Sequence, residues 1–83
     1  RNVFELVALV HSELSEAVEA ARIGEMDTIE VNDKPEGFYS ELADAVIRIC
    51  DIFEAHGKDL HSEMRRKMTY NQTRSHRHGG KLA

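Results

Sequence analysis

Two pairs of acidic residues recur at the same short spacing in this sequence. Glu13 and Glu16 stand three residues apart, as do Glu41 and Asp44, and 24 residues separate the two pairs. Residues three apart are neighbours on a helix surface, so each pair offers two carboxylates one turn apart. Clustered carboxylates repel one another unless a cation joins them, and all-oxygen ligands suit Mg²⁺, Mn²⁺ or Ca²⁺. The spacing suggests a divalent-cation site; the alternative is ordinary solvent-exposed charge.

A second set of polar residues lies towards the C-terminal end. Lys67, Asn71 and Arg74 stand at positions i, i+4 and i+7, with Tyr70 beside them. Two cations around an amide suit a phosphate together with a sugar or base edge. The alternative is an ordinary helix end, where the helix dipole favours basic residues. Arg48, one turn beyond the second acidic pair, is a candidate for neutralising the acids, for contacting a phosphate or for an ion pair within its own helix.

Three helices are expected to position these residues. Apolar residues recur at steps of three and four in two strong stripes and one thin seam, over about 2–23, 36–56 and 60–73. Asp59 is placed to act as the N-cap of the third helix. Polar breakers and the only proline predict a loop over 24–35, and the residues after the third helix predict an irregular tail.

The two acidic pairs are expected to lie on the same flank of the first two helices. A helix turns about 100° per residue, so Glu13 lies roughly 70° and Glu16 roughly 130° to one side of the first apolar stripe. Glu41 lies roughly 80° and Asp44 roughly 140° to the same side of the second stripe. If the helices pack in antiparallel orientation, as neighbours with a short connection usually do, all four carboxylates meet in one cluster.

Composition limits the class of protein. The chain has 83 residues, a net charge of −4 and no apolar run near the roughly 20 residues that a membrane span needs. We therefore expect one small domain that acts neither in a membrane nor on a nucleic-acid polymer, since such polyanions bind basic surfaces. Cys50 lies in an apolar helical run, which predicts a buried thiol, and with one cysteine no disulfide forms within these residues. These features fit a cytoplasmic protein.

The fold class expected from these observations is all-α. Two strong stripes and one thin seam make a thin core, which predicts an antiparallel bundle of about three helices, with an irregular tail, completed by homo-oligomerisation. None of the five histidines follows an acid by three residues, which argues against a ferritin-like di-iron centre. The sequence also contains no H-E-x-x-H motif, P-loop or cysteine-rich zinc pattern.

The order of the motifs resembles a known family. The acidic pairs occur within LVHSELSEAVEAAR and KPEGFYSELADAVIRICD, and KMTYNQTRSHRHGGK follows. This arrangement of E-x-x-E, about 24 residues, E-x-x-D and a basic third helix is similar to the all-α nucleoside triphosphate pyrophosphohydrolases of the MazG-like group. The resemblance covers nearly the whole chain.

The resemblance implies a single domain over 1–83 that forms a homodimer, often further a homotetramer, around Mg²⁺-dependent sites, with Mn²⁺ as a substitute. Members hydrolyse (deoxy)nucleoside triphosphates to monophosphate and pyrophosphate, in house-cleaning or in control of dNTP pools. The alternative from another class is a helical interaction module without catalytic activity, whose acidic clusters are surface charge.

The resemblance also implies roles for particular residues. Both acidic pairs would hold the metal, and Glu13 or Glu16 would orient or deprotonate the attacking water. The nucleotide would be contacted by residues of the third helix, namely Lys67, Tyr70, Asn71 and Arg74. Arg48 is added as a candidate substrate contact from its position one turn beyond Asp44, not from the resemblance. Many members have a further acid where this chain has Ser12. This departure leaves open how many metal ions bind.

Overall fold

Three helices and one short hairpin make up the structure, a computed structural model that describes the backbone of residues 1–82 and the side chains of residues 1–74. The elements are, in order, α1 (Val3–Arg22), β1 (Ile29–Val31), β2 (Lys34–Glu36), α2 (Phe38–Ala55) and α3 (Leu60–Leu82). The prediction of a mostly helical chain is confirmed. Over the described residues, no helix combines the length and the apolar character that crossing a bilayer demands.

Two of the helices begin at side chains that cap their free N–H groups. At the start of α1, Asn2 accepts from the backbone N–H of Glu5 at 2.8 Å, and the Glu5 carboxylate accepts from the Asn2 N–H at 3.1 Å. At the start of α3, Asp59 accepts from the His61 N–H at 3.0 Å and from the Ser62 hydroxyl at 2.8 Å. The predicted N-cap at Asp59 is therefore confirmed, and the bond from Ser62 lowers the pKa of this carboxyl.

The connection between α1 and α2 contains a β-hairpin, so the prediction of a loop over 24–35 is wrong in part. β1 and β2 pair in antiparallel orientation, with Val31 opposite Lys34. Asn32 and Asp33 form the two-residue turn, with φ of 54° and 64°. Asn and Asp tolerate this left-handed conformation better than other non-glycine residues, which favours a tight hairpin turn. The strands have three residues each, too few for alternation to be recognised in the sequence.

The helices α1 and α2 pack against each other in antiparallel orientation. The N–H of Phe38, at the start of α2, donates to the carbonyl of Glu25, just after the end of α1, at 2.8 Å. Further along α2, Arg48 reaches Glu13, which lies earlier in α1. Residues later in α2 therefore contact residues earlier in α1, as antiparallel packing requires. This is the orientation in which equal angular offsets bring the two acidic pairs together.

The contact between α1 and α2 is narrow and contains two acids. Its buried residues are Ala17, Ala20 and Ala45, together with Glu13 and Glu41. Among the described residues, no large side chain is fully buried. The contact face is turned by roughly 50° from the apolar stripes, towards the acidic flank. The leading acid of each pair therefore lies within the helix contact, closer to its centre than the apolar periodicity predicts.

The remaining half of each apolar stripe is exposed on the opposite side of the helix pair. We call this surface the apolar face; it comprises Val3, Val7, Leu14 and Val18 of α1 with Tyr39, Val46 and Cys50 of α2. On both helices the apolar stripe is turned away from the helix contact in the same angular sense. Because the helices are antiparallel, the exposed residues of both stripes lie on the same side of the helix pair. The prediction of a buried Cys50 thiol is wrong, because the helix contact is turned away from the side of α2 that carries it.

The third helix stands apart from the rest of the structure. Over the described residues, α1 packs on α2 and β2 contacts α2, whereas α3 forms no comparable packing with any element. The Cα radius of gyration is 16.0 Å, against about 12 Å for a compact chain of this length. The helix also continues to Leu82, so the predicted irregular tail is wrong. No proline interrupts the segment, and each of its two glycines costs a helix only about 1 kcal/mol.

Candidate metal centre

One cleft collects the acids of both pairs. It has a volume of about 540 Å³ and lies between α1 and α2, next to the start of β2. We call it the acidic cleft; its lining residues are Glu13, Glu16, Lys34, Glu41, Asp44, Ile47, Arg48 and Asp51. Among these described lining residues, five of the seven charged side chains are acids, so they favour cations over anions.

Three of the four predicted ligands meet at one point of the cleft. Carboxylate oxygens of Glu13, Glu16 and Glu41 lie within 4.8 Å of one another. Asp44 lines the same cleft but does not belong to this group, because it lies further round α2 from the helix contact than Glu41 does. The predicted cluster of four is therefore a group of three carboxylates with a fourth nearby.

Glu41 is the least exposed of these acids. The residue is only 5% exposed, and within the described part of the chain no group donates a hydrogen bond to its carboxylate. Among the described side chains, no polar atom is sealed from solvent without a partner, so the Glu41 oxygens must open into the cleft. Burial raises the pKa of Glu41, and the negative charges of Glu16 and Asp44 raise it further. This carboxylate is therefore close to other acids and has no ion-pair partner among the described side chains.

Arg48 compensates one of the acids but not the others. Its Nε donates to the Glu13 Oε2 atom at 2.7 Å, across the contact between α1 and α2. The Glu13 side chain is largely buried, whereas that of Arg48 is partly exposed. Of the three roles expected for Arg48, the structure has it neutralising an acid, and it has no intrahelical ion pair with Asp44. Glu16 and Glu41 have no ion pair with any described residue.

The donor set fits a hard divalent cation. All three clustered side chains offer carboxylate oxygens, which Mg²⁺, Mn²⁺ and Ca²⁺ prefer, and no described histidine or cysteine belongs to the group. Oxygens bound to one such ion lie at most about 4–5 Å apart, which is comparable to the spacing of this group. Three carboxylates leave coordination positions for water and for the oxygens of an anionic ligand.

The basic residues expected to contact a nucleotide form a separate group on α3. The Lys67 Nζ atom lies 5.8 Å and the Arg74 Cζ atom 5.6 Å from the centre of the Tyr70 ring. Arg74 also donates to the Tyr70 hydroxyl at 3.1 Å. Asn71 borders a different depression along the same helix. None of these four residues lines the acidic cleft, so the single chain does not bring the two predicted groups together.

Three residues of the cleft are not among the residues predicted from the sequence: Lys34, Ile47 and Asp51. Asp51 could have been found, because Asp44, Arg48 and Asp51 stand at i, i+4 and i+7 and share one flank of α2. Lys34 could not have been found, since it reaches the cleft from a hairpin that the residue pattern does not predict. The cleft is therefore more highly charged than the two acidic motifs indicate.

Similarity to other proteins adds no assignment to this site. Comparison with protein-family models, with curated proteins and with solved structures gives no match to the chain. The resemblance to the MazG-like group therefore stays a prediction.

Proposed function

We propose that this protein is a Mg²⁺-dependent pyrophosphohydrolase of (deoxy)nucleoside triphosphates that acts in house-cleaning or in control of dNTP pools. The observation that carries the proposal is Glu41, a carboxylate only 5% exposed, with a raised pKa and no hydrogen-bond donor among the described residues. Burying an uncompensated charge among like charges is costly, and a divalent cation removes that cost. The substrate class comes from the motif order, which resembles the MazG-like group.

The chain's own residues would divide the work within the cleft. Glu13, Glu16 and Glu41 would hold Mg²⁺, or Mn²⁺ in its place, with Asp44 beside them. When bound, the ion supplies neutralisation of phosphoryl charge and a lowered pKa for water. Glu16 is exposed within the cleft, so a carboxylate oxygen is available to orient or deprotonate the attacking water, with Glu13 as the other candidate. Cleavage of the α–β anhydride by that water yields monophosphate and pyrophosphate.

The proposal includes assembly into a homodimer or homotetramer. The apolar face leaves several large apolar side chains exposed, and over the described elements α3 forms no packing comparable to that between α1 and α2. A second copy that covers these surfaces would supply the core that one chain lacks. It would also provide the route by which Lys67, Tyr70, Asn71 and Arg74 approach a nucleotide. Analytical ultracentrifugation tests this: Val18→Glu, on the apolar face, should shift the protein to monomer, and Val31→Glu, on the hairpin, should not.

The activity itself is tested with a panel of nucleoside triphosphates in Mg²⁺. We expect at least one to be converted to monophosphate and pyrophosphate, with no release of orthophosphate. The panel should include canonical and modified bases with ribose and deoxyribose, because the described cleft does not specify a base. Orthophosphate as the first product, or hydrolysis that is unaffected by Glu41→Gln, would contradict the assignment.

A second candidate function is favoured by the apolar face. A helical interaction module would use these exposed apolar side chains to bind a partner protein, and its acids would serve as surface charge. This candidate predicts no pyrophosphate from any nucleotide and no stabilisation by Mg²⁺. Both outcomes differ from those expected of the hydrolase.

A further inference from the structure

Two of the described basic side chains, Lys34 and Arg48, line the acidic cleft, and Lys34 is the more weakly held of the two. Arg48 is held by Glu13 at 2.7 Å across the helix contact. The Lys34 Nζ atom lies 3.7 Å from the Glu36 carboxylate, longer than a hydrogen bond, and its side chain is 70% exposed. Exposed ion pairs of this kind add little stability, so Lys34 can leave Glu36 at small cost.

The backbone that carries Lys34 is held firmly at the edge of the cleft. Lys34 is the first residue of β2 and pairs with Val31 across the hairpin. The hairpin runs into α2 through Gly37, which has a φ of 126°. A Cβ atom at this position would lie 2.5 Å from the Asp27 carbonyl oxygen, so the backbone approach requires glycine. A flexible side chain on a fixed backbone can follow a ligand without leaving the cleft.

A cation that belongs to the cleft itself would favour the binding of an anion there. Five acids line it, and a polyphosphate that enters is repelled by every carboxylate that a metal ion does not engage. The basic residues of α3 whose side chains the structure describes, up to Arg74, do not line the cleft. Lysine suits the task, because its ammonium is a compact charge on a flexible stem and binds phosphate as a point charge.

We infer that Lys34 contacts the phosphate chain of the ligand in the acidic cleft and so favours polyphosphates over ligands without phosphate. The inference rests on the proposed function, which supplies the class of ligand. It assigns to the hairpin a binding role beyond that of a connection between helices. It also gives each chain a phosphate-binding cation of its own, independent of α3.

The test is calorimetric titration of the intact protein with the complex of Mg²⁺ and inorganic tripolyphosphate. Lys34→Gln should weaken binding about tenfold, the loss expected for one charge-assisted hydrogen bond to phosphate. Lys34→Arg should restore binding to near the wild-type level. Lys58→Gln is the matched control, since it removes one exposed lysine outside the cleft and should leave binding unchanged. Binding of Mg²⁺ alone should not weaken in Lys34→Gln.

Two results would overturn the inference. One is binding of the tripolyphosphate complex by Lys34→Gln as tightly as by wild type; the other is an equal loss in Lys58→Gln, which would indicate net charge alone. The inference and the proposed function fail separately. Pyrophosphate release that is unchanged by Lys34→Gln refutes the role of Lys34 and keeps the function. Lys34-dependent tripolyphosphate binding without hydrolysis of any nucleotide refutes the function and keeps the role of Lys34.

Discussion

The α1–α2 pair and α3 carry opposite charge and differ in how their charged residues are supported. Residues 1–59 hold 14 acidic and five basic residues, a net charge of −9, whereas residues 60–82 hold one acidic and six basic residues, a net charge of +5. The clustered acids lie between two packed helices, which fix their mutual distances. The basic residues of α3 lie on a helix without comparable packing, and the contacts that Lys67 and Arg74 make with Tyr70 lie within that helix.

This difference shows what turns suitable residues into a site. Glu41 has a raised pKa because α1 and α2 together remove it from water and place other acids beside it. Lys67, Tyr70 and Arg74 also lie close together, but every contact among them is one that an isolated helix would make. The acids therefore form a candidate site within one chain, whereas the described basic residues of α3 lie outside that cleft.

The largest effect on activity is expected when the acidic cleft loses one of its clustered carboxylates. Glu41→Gln keeps the shape of the side chain and removes its charge. We expect kcat/KM for pyrophosphate release to fall roughly 10²–10³-fold, since a metal ion contributes several kcal/mol to transition-state stabilisation. The matched control is Glu54→Gln, an exposed acid of α2 outside the cleft, which should retain activity. Equal activity in wild type and Glu41→Gln would contradict a catalytic role for the acidic cleft and so would not distinguish the α1–α2 pair from α3.

The next effect concerns the packing that fixes the acids. Ala45 is 3% exposed at the contact between α1 and α2, whereas Ala43 is exposed on the same helix. Ala45→Leu forces extra volume into the contact and should destabilise the protein by about 1–3 kcal/mol. Ala43→Leu should change the free energy of unfolding little. Chemical denaturation measures both; equal values would mean that the helix contact does not support the site.

A smaller effect is expected in the pH dependence of stability without metal. The pKa of Glu41 is raised above its ordinary value of 4.5, so the folded state holds this proton to a higher pH than the unfolded state does. Its contribution to stability is therefore complete below about pH 4.5 and is lost as pH rises through the folded pKa. In chelator, Glu41→Gln should lack this loss, and its melting temperature should rise above that of wild type as pH rises towards neutrality. A difference independent of pH would contradict the burial of the charge.

The smallest effect is expected from a change at the start of α3, the helix that carries the basic residues. Asp59→Ala removes the side-chain acceptor at the start of α3 and should reduce helicity measured by circular dichroism, with little change in the α1–α2 contact. The pKa of Asp59 is lowered, so its contribution is present above about pH 3.8 and is lost as pH falls through the folded pKa. Lys58→Ala, beside the cap, is the control. A cooperative loss of the whole fold in Asp59→Ala would show that α3 is coupled to the α1–α2 pair.

Periodicity and capping rules predicted the parts of the fold that depend on neighbours along the chain. The three helices, the N-cap at Asp59 and the shared flank of the acidic pairs all follow from local spacing. The hairpin did not, because three-residue strands leave no pattern, and its Asn32–Asp33 turn is only a weak signal. The exposure of Cys50 was missed because periodicity finds an apolar stripe without showing which half of it is covered. Lys34 was missed because the short hairpin that carries it leaves no pattern in the sequence.

The candidate site was predicted in its residue types and partly in its geometry. Angular offsets brought Glu13, Glu16 and Glu41 together once the helices were taken as antiparallel, and Asp44 lies in the same cleft outside that group. The ion pair between Arg48 and Glu13 depends on the register between two helices, which spacing within one helix does not determine. The place of α3 could not be predicted either, since its thin apolar seam does not identify the surface that it covers.

The most direct test of the central claim is a thermal melt of the protein with and without Mg²⁺ at constant ionic strength. A cation held by Glu13, Glu16 and Glu41 stabilises the native state by about 2.7 kcal/mol at a hundredfold excess over its dissociation constant. We predict a rise in melting temperature for wild type that is largely lost in Glu41→Gln and kept in Glu54→Gln. No rise for wild type, or the same rise in all three proteins, would contradict the acidic cleft as a metal centre.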